Sequence, residues 1–226
     1  MDGQSKNLPP LPIWLGDPTD APGTRLGKRE RTRRQLIAAA VQVLARHGVA
    51  DATVQEIAAV AEMTPGTVYN HFDTKDDVVQ AVALWIAETL CRRIAESYGH
   101  VHDGAERMAI GNRRYIRLAA ESPRWATLVL DVGMAAPHLV ARVSADALAD
   151  LRLGVRQKCF RIASEAAAMD LINGTVSQAM RTVARGEAQR QHDSMVAATV
   201  LRGLGMDFEE AMEVARRPLP DLPGGA

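Results

Sequence analysis

Apolar residues recur at helical spacing along most of this chain, interrupted by short polar or glycine-containing stretches. Leu36, Ala40, Val43 and His47 form one stripe, with Ile37 and Leu44 beside it, which predicts a helix from about Lys28 to His47. Gly48 is its stop signal. A second, shorter stripe runs through Val54, Ile57, Ala58 and Ala61. Thr53 stands at its N-cap and Glu56, three residues on, completes a capping box. Thr64 followed by Pro65 predicts a third start, since proline has no N–H to lose at the first helical position. In that short helix Val68 and Phe72 are four apart and face inward together. Thr74 with Asp77 starts a long helix over about 75–97, in which Val78, Val82, Ile86, Leu90 and Ile94 repeat every four residues.

Beyond it the elements are longer. Asp103 with Glu106 starts a helix to about Glu121, and Ser122-Pro123 a shorter one holding Trp125, Leu128 and Val132. Pro137 opens a helix expected to run through Val140, Val143, Ala147, Leu151 and Val155 to Cys159. Ser164 begins another, closed by Gly186, and a further helix is expected over about 188–204. Asp207 with Glu210 caps a last short one. Before residue 25, prolines at 9, 10, 12, 18 and 22 exclude a regular helix and predict a flexible arm. Its Ile13-Trp14-Leu15 segment either docks on the body or is a sticky spot in a loose tail. Residues 218–226 read as a frayed tail.

Composition supports an all-α chain. Apolar residues are 47% of 226, but aromatics only 4%, whereas β proteins lean on aromatic and β-branched residues. Formal net charge is zero, yet positive charge is concentrated: Arg25, Lys28, Arg29, Arg31, Arg33 and Arg34 stand together against Glu30 alone. Such a run is either a solvated helix face or a phosphate-contacting flank. Beside the short helix at Thr64 the second reading is favoured, with Arg31 and Arg34 as candidate contacts. Cys91 and Cys159 form no CxxC pair, consistent with buried thiols in a reducing compartment. No apolar run reaches the ~20 residues of a membrane span, and no signal-peptide arrangement is present, so a cytoplasmic location is expected. GxSxG, GxGxxG and GxxxxGK[ST] signatures are absent, and an enzyme is not expected. His100-x-His102 is a tight histidine pair without an evident third ligand, so neither a metal nor a cofactor is expected.

The outward face of the short helix carries Thr64, Gly66, Thr67, Tyr69, Asn70 and His71, with almost no charge. A short helix anchored by two apolar residues and showing hydrogen-bonding groups outward suits the major groove of DNA. Gly66 permits close backbone approach, Tyr69 and His71 can donate to phosphate oxygens, and Lys75 can pair with one as a point charge. The plainer reading is a surface helix of an ordinary bundle. Thr64, Gly66, Val68, Tyr69, His71, Phe72 and Lys75 match the pattern Ser/Thr-x-Gly-x-apolar-Tyr-x-Tyr/His-Phe-x-x-Lys, and here the chain resembles the TetR family of bacterial transcriptional regulators. The resemblance implies that Thr53, Thr64, Pro65, Gly66, Thr67, Tyr69, Asn70, His71 and Lys75 lie at or near DNA. The family usually has glycine just before the reading helix, where this chain has Glu62-Met63. A left-handed Glu62 would cost on the order of 1 kcal/mol.

The expected organisation is an arm (1–24), a three-helix helix-turn-helix DNA-binding domain (25–75, reading motif 53–72), and a larger helical effector-binding and dimerisation domain (76–217). The resemblance implies a homodimer through the helices at about 164–186 and 188–204, both rich in small residues, reading a palindromic operator in double-stranded DNA. It also implies a small-molecule pocket among the middle helices, for which Tyr115, Trp125, Met134, Phe160, Met169 and Asn173 are candidates. Low charge there favours an apolar or amphipathic effector. The function implied is a repressor released from its operator by that effector. The alternative is a constitutive DNA-binding or protein-interaction module without an effector.

Overall fold

The structure, a computed structural model, describes residues 16–19, 27–135 and 144–222, without the side chains of Met134 and Ala135. Most of the expected arm, and the helix start expected at Pro137, lie outside the described residues. Among the described residues the chain has ten helices and no strand. They are α1 (Lys28–Asp51), α2 (Val54–Val60), α3 (Pro65–Tyr69), α4 (Lys75–Ser97), α5 (Gly104–Glu121), α6 (Pro123–Ala135), α7 (Ala145–Arg156), α8 (Glu165–Ala184), α9 (His192–Gly203) and α10 (Phe208–Arg216). None is long and apolar enough to cross a membrane. Two compact units divide between Ile86 and Ala87, within α4.

In the first unit the chain leaves α1 at Gly48, whose φ of 74° and ψ of 174° suit glycine, and the following turn ends at Ala52. Leu36, Ile37, Ala40, Val43 and Leu44 of α1 are buried with Val54, Ile57 and Ala58 of α2, and Val68 and Phe72 close the same core. Both sides of the Thr53–Glu56 capping box form, and Thr64 caps α3 by accepting from the Thr67 N–H. Glu62 sits between these helices at φ 56°.

In the second unit α5 packs against α6, α7, α8, α9 and α10. The core gathers Met108, Leu151, Phe160, Ile172, Leu201 and Leu204. Three close approaches involve glycine, and a Cβ on Gly104 would lie 2.6 Å from the backbone nitrogen of Gly154. A Cβ on Gly154 would lie 2.2 Å from the Phe160 ring, and one on Gly203 would lie 2.5 Å from Leu171, where α8 and α9 meet. Three expected boundaries need correction. The short helix expected to carry Phe72 ends at Tyr69 with Asn70 as its C-cap, and Phe72 follows the turn after it. The helix expected to reach Cys159 ends at Arg156, because Lys158 turns left-handed (φ 64°) and Phe160 folds back onto Gly154. The helix expected from 188 begins at His192, after a left-handed Gln191 that makes no side-chain cap.

Candidate nucleic-acid interface

The local sequence that builds α3 also decides what it shows. Val68 and Phe72 hold the helix from behind, fully and almost fully buried. Thr64, Pro65, Gly66 and Asn70 are exposed in front, and Tyr69 is 51% exposed although its ring is large and apolar. Thr53 is exposed at the N-terminus of α2. Thr67 is half-buried, its hydroxyl 3.1 Å from that of Thr64. Of the predicted reading face, Thr64, Pro65, Gly66, Tyr69 and Asn70 are thus exposed on or directly beside α3.

α1 supplies the flank. Arg31 is exposed, and the Arg34 Nε donates to Glu30 at 2.9 Å. The Arg33 guanidinium lies 5.0 Å from the centre of the Phe72 ring, so a basic residue clamps the back of the reading motif. Sequence reasoning missed that contact, although an arginine run and an inward-facing phenylalanine in the same small domain were its signal. His71 is half-buried, and its Nδ1 has no partner. Burial, and then the nearby Arg29 and Arg33, hold the imidazole below its ordinary range, so it is poised neutral.

Lys75 is placed differently from the expectation of a phosphate partner. Its ammonium donates to the carbonyls of Val49 (3.1 Å), Ala50 (3.2 Å) and Ala52 (3.2 Å).

The candidate effector residues of the second unit sit in different surroundings. Trp125 is wholly buried, and Phe160 packs into the core with Met169 at its edge. The Met134 side chain lies outside the described residues. The Tyr115 hydroxyl lies 2.6 Å from the Cys91 sulfur, and burial pushes that thiol up to about 11. Ser144 donates to the Asn173 side-chain oxygen at 3.3 Å. Asn112 escaped the sequence reading. It is 4% exposed, and its amide nitrogen has no partner. An asparagine between Met108 and Ile116 on an inward helix face was its signal. A cleft of about 430 Å³ is lined by Asp103, Gln157, Cys159, Glu210 and Arg217 among others, and by none of the six candidates. Among the described residues no three His, Cys, Asp or Glu side chains converge as metal ligands would.

Comparison with known proteins agrees with this geometry. A family model described as "Bacterial regulatory proteins, tetR family" matches residues 36–82. One described as "Tetracyclin repressor-like, C-terminal domain" matches residues 103–217. The transcriptional regulator SrpR of Pseudomonas putida is 49% identical over 53 residues, 24% of this chain and 25% of SrpR. The nicotine-responsive transcriptional repressor HdnoR of Paenarthrobacter nicotinovorans is 34% identical over 99 residues, 44% of this chain and 46% of HdnoR. These matches span less than half the length of either relative. The crystal structure of RolR with its ligand resorcinol superposes with a TM-score of 0.73 at 30% identity, covering 86% of this chain and 98% of that one. Matched by family models at both its reading motif and its larger helical unit, the chain belongs to the TetR family of bacterial regulatory proteins.

Proposed function

We propose that this protein is a cytoplasmic, homodimeric repressor that reads a palindromic operator and is released from it by a small molecule. One observation carries the reading. α3 shows Thr64, Gly66, Tyr69 and Asn70 to solvent while Val68 and Phe72 fasten it from behind. Tyr69, His71 and the arginines of α1 are the phosphate and groove donors, and Thr53, Pro65 and Thr67 lie at the same surface. One such helix reads too few base pairs for specificity, whereas two related by a twofold axis read half-sites about one helical turn apart. The dimer surface is the exposed side of α8 and α9. There Ala166, Ala167, Gly174 and Thr199 point outward, with Met195 43% exposed. A Cβ at Gly174 would meet nothing within 4 Å of its own chain, which leaves room for a partner helix.

The effector is a small amphipathic molecule held in the unit after residue 86. RolR, 30% identical, was crystallised with resorcinol, an aromatic ring bearing two hydroxyls. Tyr115, Asn173 and the unpaired Asn112 amide supply hydrogen-bonding groups for such a molecule in an otherwise apolar interior. The effector acts by favouring a different setting of α4, which changes the separation of the two reading heads. Release requires that it bind the free and DNA-bound settings with different affinity. The test is titration of resorcinol and related phenols into a complex of the protein with its selected duplex. Release by one of them, weakened by Asn112→Leu, supports the effector reading. Tight binding of a phenol with operator affinity unchanged would overturn it.

A further inference from the structure

Lys75 is the last residue of the family motif in this chain, and it faces away from the role the motif suggests. An ammonium has three N–H donors. Here they meet three backbone carbonyls, those of Val49, Ala50 and Ala52, at 3.1 to 3.2 Å. These carbonyls belong to the turn that begins where Gly48 breaks α1 and ends against Thr53, the N-cap of α2. Carbonyls at the end of a helix carry partial negative charge and need partners, so a cation is well placed there. Lys75 is also the first residue of α4, directly after the Thr74–Asp77 cap. The side chain thus ties the α1–α2 turn to the start of α4 across 23 to 26 residues of chain. α2, the left-handed turn at Glu62 and α3 all lie within the loop this tie closes.

We infer that Lys75 is a positioning residue of the reading head. It acts through α3 by fixing both ends of the segment that carries α3, and it does not neutralise a phosphate. This rests on the DNA-reading function proposed above. A phosphate oxygen could reach the ammonium only by displacing one of the three carbonyls. A planar guanidinium fork cannot serve three carbonyls converging on one point, although it serves a phosphate well.

The experiment compares wild type, Lys75→Arg and Lys75→Met on the selected operator and on random-sequence duplex, across a salt series. Wild type binding its operator above random duplex secures the underlying reading separately. Folded fraction is followed by circular dichroism so that affinities refer to folded protein. As a positioning residue, both variants lose roughly ten-fold or more of the operator-over-random ratio, and the dependence of log K on log salt keeps its slope. As a phosphate contact, Lys75→Arg would retain operator affinity. Lys75→Met would then weaken both duplexes alike and reduce the slope by about 0.9. That result overturns the inference. So does a lower melting temperature with the operator-over-random ratio intact, which is what a purely structural lysine would give.

Discussion

Each of the two units is held together internally by a different kind of contact. In the reading head the polar bonds are mostly short in sequence: Thr53 with Glu56, Thr64 with Thr67, Thr74 with Asp77, Glu30 with Arg34. The Lys75 tie is a long exception. The second unit is bound across great sequence distances. Asp150 of α7 accepts from Arg107 of α5 at 2.6 Å and from the Tyr98 hydroxyl at 3.0 Å, with the Arg107 guanidinium over the Tyr98 ring. Asp193 of α9 receives Arg113 and Arg117, and Arg217 reaches back to Asp103 and Glu106. A head built from local caps can be placed by a few residues, so its surface is free to carry recognition. Where such a pair is buried, as at Asp150 and at Arg113 with Asp193, the body depends on each partner, because a buried charge left alone is costly.

That contrast sets the order of expected effects. Asp150 is 3% exposed, and burial raises its carboxyl above the ordinary range even against Arg107. Asp150→Ala leaves a half-buried arginine unpaired and should lower stability by about 3 kcal/mol. Chemical denaturation checks this, and a loss below ~1 kcal/mol would put the pair in the class of surface ion pairs. In the head, Tyr69→Ala should weaken operator binding about ten-fold while leaving the melting temperature nearly unchanged, since the ring is half exposed. Equal losses from Tyr69→Ala and Glu62→Ala would contradict the groove placement. Thr53→Ala removes one cap and should destabilise the head by about 1 kcal/mol.

Smaller effects sharpen the comparison. Glu62→Gly relieves the positive φ but loosens the unfolded chain, so a net gain below about 1 kcal/mol is expected in thermal melts. His71 gives the smallest effect. Its folded pKa lies below the ordinary 6.5, so the neutral form is favoured by folding. The stability it contributes is therefore present above pH 6.5 and is lost as pH falls through the depressed folded value. His71→Gln should flatten that dependence of the head's melting temperature. An unchanged profile would show that the imidazole does not titrate in this window.

The same contrast explains what could be read from the sequence. Capping boxes act within three or four residues, so the starts of α2, α3 and α5 and the span of α4 were legible to within a residue. The start of α9 was not, because Gln191 takes a left-handed turn without a capping side chain. The end of α7 was missed because Phe160 is drawn back onto Gly154 by packing, which periodicity does not encode. At the candidate site the exposed face of α3 followed from which two residues were apolar. Lys75 was legible as a donor, but its acceptors are carbonyls 23 to 26 residues away that no motif names. The polar pairs of the second unit join helices whose order in space the sequence pattern leaves open.

The measurement that bears most directly on the account is selection of bound fragments from random duplex DNA by the purified protein at near-physiological salt. The account predicts enrichment of a palindrome, with half-site centres about one helical turn or a multiple of it apart. Enrichment should be reduced, about ten-fold, with Tyr69→Ala. A folded, dimeric protein freed of bound small molecules that enriches no sequence would contradict it.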